Sequence, residues 1–69
     1  MAYEIWDEGN RLGRFADKAK ALKAVRILLE DDPHFEASLV LVWEAETGLS
    51  KRVASGRNLS RLARPRVPA

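Results

Sequence analysis

The spacing of apolar and polar positions along the chain changes period three times. Tyr3-Glu4-Ile5-Trp6 has strand-forming residues at both parities and predicts a β-strand. Asp7-Glu8-Gly9-Asn10 follows with turn chemistry, because Gly and Asn accept positive φ. Arg11-Leu12-Gly13-Arg14-Phe15 is then the return strand of a hairpin, with Gly13 marking a bulge or a close approach.

From Asp17 the period becomes helical. Ala21, Leu22, Val25, Leu28 and Leu29 fall on one stripe, and Lys20, Lys23 and Ala24 lie opposite, so a helix is expected from Lys18 to about Glu30, with Asp17 as N-cap. Asp31-Asp32-Pro33 ends it, because a residue before proline avoids the helical region. Ile27 stands off the apolar stripe. The charges oppose the helix dipole, with Lys18 and Lys20 in the first turn and Glu30 and Asp31 in the last.

After a link at His34-Phe35-Glu36-Ala37, the run from Ser38 to Ala45 predicts the strongest strand. A turn at Glu46-Thr47-Gly48 leads into a partner strand from Leu49 to Ala54. Ser55-Gly56-Arg57 reads as a break, Asn58 as the cap of a short helix from Leu59 to Arg64, and Pro65 and Pro68 as markers of a frayed tail over 65–69. The expected fold is α+β and two-layer: a four-stranded antiparallel sheet in ββ-α-ββ order, with one main helix and a short C-terminal helix, forming a single domain over 1–64.

One strand breaks the simple pattern. A sheet with a helix on one face should alternate apolar and polar residues. Leu39-Val40-Leu41-Val42-Trp43 is apolar throughout, so Leu39, Leu41 and Trp43 face one way while Val40 and Val42 face the other. In the first strand Tyr3 and Ile5 likewise oppose Trp6. The main helix covers one of these faces. The second is covered by the C-terminal helix, by another copy or by another protein, or else stays exposed at the cost of lost burial.

With 69 residues the chain has room for one small core, and with no cysteine it has no disulfide or thiolate metal site to add stability. The N-terminal residues lack the basic start and apolar run of a secretory signal, and the longest apolar run is far below the roughly 20 residues of a membrane span. A cytoplasmic protein with no membrane partner is expected. The net charge is +2, but its layout is uneven: Glu30 to Glu46 holds acids without Lys or Arg, and Lys51 onward holds Lys51, Arg52, Arg57, Arg61, Arg64 and Arg66 without acids.

Chemical motifs are sparse. Asp31-Asp32-Pro33-His34-Phe35-Glu36 gathers potential ligands, but its spacing fits a helix-ending acidic loop better than a metal loop. His34 is the only imidazole, and none of Ser38, Ser50, Ser55 or Ser60 sits in a nucleophile elbow. No enzyme activity, metal or cofactor is expected. Tyr3, Trp6, Phe15 and Trp43 beside Arg11, Arg14 and Arg52 resemble a base-stacking surface, although core packing explains the aromatics more simply. The hairpin and Ala-Leu-rich helix over residues 3–30 are similar in pattern to the start of HicB-type antitoxins. Arg14-Phe15-Ala16 stands where that family has a proline-glycine segment, and no residue role is carried over.

The function expected from sequence is a small non-enzymatic protein-interaction module, self-associating as a homodimer or binding another protein through an apolar sheet face, with Trp6, Val40, Val42 and Trp43 as contact residues. The alternative is a nucleic-acid-binding accessory protein using Arg52, Arg57, Arg61 and Arg64.

Overall fold

The computed structural model describes residues 1–64, so the expected tail at 65–69 lies outside the described residues. The elements run β1 (Ala2–Asp7), β2 (Asn10–Phe15), α1 (Lys18–Asp31), a 3₁₀ turn (Pro33–Ala37), β3 (Leu39–Glu44), β4 (Ser50–Ser55) and α2 (Gly56–Ala63). The fold is α+β: a four-stranded antiparallel sheet in the order β2-β1-β3-β4, with one main helix and one short C-terminal helix.

Each hairpin follows from local chemistry. Glu8 and Gly9 both take positive φ, 47° and 87°, the signature of a two-residue turn whose twist matches that of the strands. Between Ile5 and Trp6 the register slips: Ile5 pairs with Gly13 and Trp6 with Arg11, leaving Leu12 as an extra, bulged residue. A second slip leaves Val53 extra, between Ala54 opposite Leu41 and Arg52 opposite Val42. Gly13 serves a close approach as well. A Cβ there would lie 2.9 Å from the Phe15 ring, which lies over the glycine.

In α1 the Asp17 carboxylate accepts a hydrogen bond from the Ala19 N–H at 2.9 Å, and the Asp32 N–H closes the other end on the Leu28 carbonyl. The link after α1 takes a definite form, and the expected cap of α2 is corrected. The His34 link is a 3₁₀ turn, capped by Asp32, whose carboxylate accepts from the His34 N–H. Asn58 caps nothing. It lies inside α2, which starts at Gly56 directly after its N-cap Ser55. The expected three-residue break shrinks to a single strand-to-helix corner, made by Gly56 at φ +57°.

Both helices share one face of the sheet. Ala21 and Val25 of α1 and Leu59 and Ala63 of α2 join Ile5, Leu39, Leu41 and Ala54 in a single core, with Tyr3, Phe15, Leu22, Leu28, Leu29, Phe35 and Val53 packed around it. The C-terminal helix therefore completes the core beside α1 and leaves the opposite face of the sheet without a helix.

Candidate interaction surface on the helix-free sheet face

β1 and β3 are the two central strands of the sheet. Pairing places Glu4 beside Val42 and Arg14, and Trp6 beside Val40 and Arg11. Val42 in turn pairs with Arg52, and Val40 with Ser55. Strand alternation puts all of these on the face opposite the core. Trp6, Val40 and Val42 form a half-buried apolar strip there, and none of them is part of the core or packed against it.

Beside this strip lies a polar cluster that sequence reading missed. Glu4 is only 4% exposed. Its carboxylate accepts hydrogen bonds from Arg14 Nη1 at 2.8 Å, Arg11 Nη1 at 3.0 Å and Trp6 Nε1 at 3.2 Å. Arg14 also reaches Glu44 at 3.4 Å. Burial alone pushes the Glu4 carboxyl up. The hydrogen bonds from Arg11, Trp6 and Arg14, together with the Arg11 charge, more than offset this, and its pKa lies below the usual glutamate value. The same cluster raises Arg14, chiefly through its bond to Glu4 and then through the nearby Glu44 charge. Such a network fixes the Trp6 ring while its two arginines remain about half exposed. The signal was present in the sequence as acid and base at facing positions of one hairpin, but the bulge at Leu12 decides that Arg11 and Arg14 both reach one carboxylate.

Trp43 is separate from this strip. It pairs with Tyr3 on the helix-bearing side and borders a shallow hollow of about 430 Å³, lined also by Lys18, Lys51, Arg52 and Val53. The four aromatics of the expected stacking surface are split, with Trp6 on one face and Tyr3, Phe15 and Trp43 on the other. Arg52 is exposed on β4, and Arg57, Arg61 and Arg64 are exposed on or directly after α2, whose Leu59 and Ala63 turn inward.

At the acidic loop, His34 Nδ1 lies 3.2 Å from the Asp32 carboxylate, and its ring is almost fully exposed. Among the described residues no three His, Asp or Glu side chains converge as a metal site. No helix among the described residues is long and apolar enough to cross a membrane. Comparison with protein-family models, with curated proteins and with solved structures gives no match to the chain.

Proposed function

We propose that the chain is a small non-catalytic protein-interaction module that docks a second polypeptide against the helix-free face of its sheet. The observation that carries this reading is the placement of both helices on one face, which leaves Trp6, Val40 and Val42 as an apolar strip outside the core. An apolar strip with a polar rim is the usual composition of a binding patch. The rim here is Arg11, Arg14 and Arg52, with Glu4 already engaged by two of them. The complementary partner segment is apolar at its centre and flanked by carboxylates.

Selection of displayed random peptides against the chain tests this, with binding mapped by amide chemical shifts. The expected peptides carry apolar residues flanked by Asp or Glu, shift Trp6, Val40 and Val42, and lose binding to a Val40→Lys/Val42→Lys variant. Peptides that bind that variant equally well, or that shift only the helical face, defeat the reading.

A second reading rests on α2. Arg57, Arg61 and Arg64 are exposed and make no ion pair among the described residues, which suits contact with phosphates. Binding to generic RNA or DNA that weakens steeply with salt supports it, and no binding at low salt removes it.

A further inference from the structure

Two of the exposed large apolar side chains lie together, away from the strip just described. Leu12 is 43% exposed and Ile27 54%, and they flank one apolar groove of about 230 Å³, completed by Ile5, Gly13, Phe15, Ala24 and Leu28. The groove runs between α1 and β2, one of the two edge strands of the sheet. Strict alternation would put Leu12 on the face of Arg14; the bulge turns it toward α1 instead.

The charges beside this groove are arranged in a particular way. Lys20, Ala24, Ile27 and Asp31 follow one another at spacings of four, three and four residues, which aligns them in one stripe along α1. Lys20 and Asp31 are exposed and make no ion pair among the described residues. The midpoint between Ala24 and Ile27 is also the midpoint between Lys20 and Asp31, each about 8 Å from it along the axis at a rise of 1.5 Å per residue.

We infer that the α1–β2 groove is the contact between two copies of this chain, related by a two-fold axis that passes between Ala24 and Ile27. Antiparallel pairing of α1 with its copy sets Ala24 against Ile27 of the other copy and Lys20 against its Asp31, twice over by symmetry. Leu12 and Ile27 supply the apolar centre, and the rim pairs set the register more than the affinity. This arrangement also accounts for the reversed charges of α1, which has no acid in its first turn and no base in its last. Those charges are unfavourable within one helix and complementary across the pair. The contact lies on a different surface from Trp6, Val40 and Val42, so each proposal stands or falls separately.

Charge reversal tests the register. Sedimentation of the full chain at several concentrations should show a dimer, and Ile27→Arg should give a monomer. Lys20→Glu alone and Asp31→Lys alone should each weaken dimerisation about tenfold, and the double variant should restore it. Each single reversal improves the match between its own helix dipole and its charges. The Tm of the dilute monomer should therefore rise slightly while the dimer weakens, which separates lost contact from lost folding. A native chain that stays monomeric at millimolar concentration overturns the proposal. So does a dimer that is indifferent to both reversals, or single reversals that the double variant does not rescue.

Discussion

Replacing Glu4 by Gln keeps the side chain's shape but removes the charge from the cluster on the helix-free face. The amide retains one acceptor oxygen and points an NH₂ group toward Arg11 or Arg14, where a donor then faces a donor. Hydrogen bonds to charged groups contribute about 1.5–3 kcal/mol each where they are well buried. Arg11 and Arg14 are 52% and 48% exposed and can turn to water, so the loss belongs at the low end, about 1–3 kcal/mol for the whole cluster. A chain of this size has a total stability of only about 3–10 kcal/mol. With a urea slope near 1 kcal/mol/M for so small a protein, the unfolding midpoint at pH 7 should fall by about 1 M or more.

The acid limb supplies a second readout. Folding lowers the Glu4 pKa, so the native state holds that proton less tightly than the unfolded chain. Its stabilisation is present above the unfolded glutamate pKa of about 4.3 and is lost as pH falls through the lower folded value. Glu4→Gln should remove this part of the pH dependence. Glu4→Val, which places an apolar side chain beside Trp6 and Val42 and frees both arginines into solvent, should cost less than Glu4→Gln. A Gln variant with the native urea midpoint and an unchanged acid limb would refute the assignment of Glu4 as the anchor of this face.

Other substitutions probe the remaining joints. Leu59→Ala should cost about 2–5 kcal/mol, since Leu59 is fully buried and holds α2 in the core; thermal unfolding measures it, and a small effect would mean α2 docks loosely. Gly13→Ala should destabilise by about 1–3 kcal/mol, because the new methyl meets the Phe15 ring, and NMR should show that ring displaced. Asp17→Ala removes the cap of α1 and should cost about 1 kcal/mol by urea titration.

Much of the fold is legible in the residues themselves. The helical stripe from Ala21 to Leu29, the Asp17 cap and a turn between Asp7 and Asn10 are set by interactions within a few residues, and the structure carries all three, although Glu8 rather than Asn10 joins Gly9 at positive φ. The two-sided apolar character of Leu39 to Trp43 pointed to a strand with a second apolar face beyond the reach of the main helix, and β3 has no helix on one side. What the pattern could not decide involves contacts distant in sequence. Whether α2 roofs the second face or joins α1 depends on the Gly56 corner and on the burial of Leu59 in the shared core. Strand alternation sends Leu12 to the wrong face, because a bulge is a matter of register between two strands rather than of either strand alone. Nothing in the local sequence marks Glu4 as buried; only the pairing of β1 with both β2 and β3 buries it and brings two guanidinium groups onto one carboxylate. Local periodicity and capping thus determined the elements, while strand order, the two bulges and the side on which α2 packs determined which side chains are left to meet a partner.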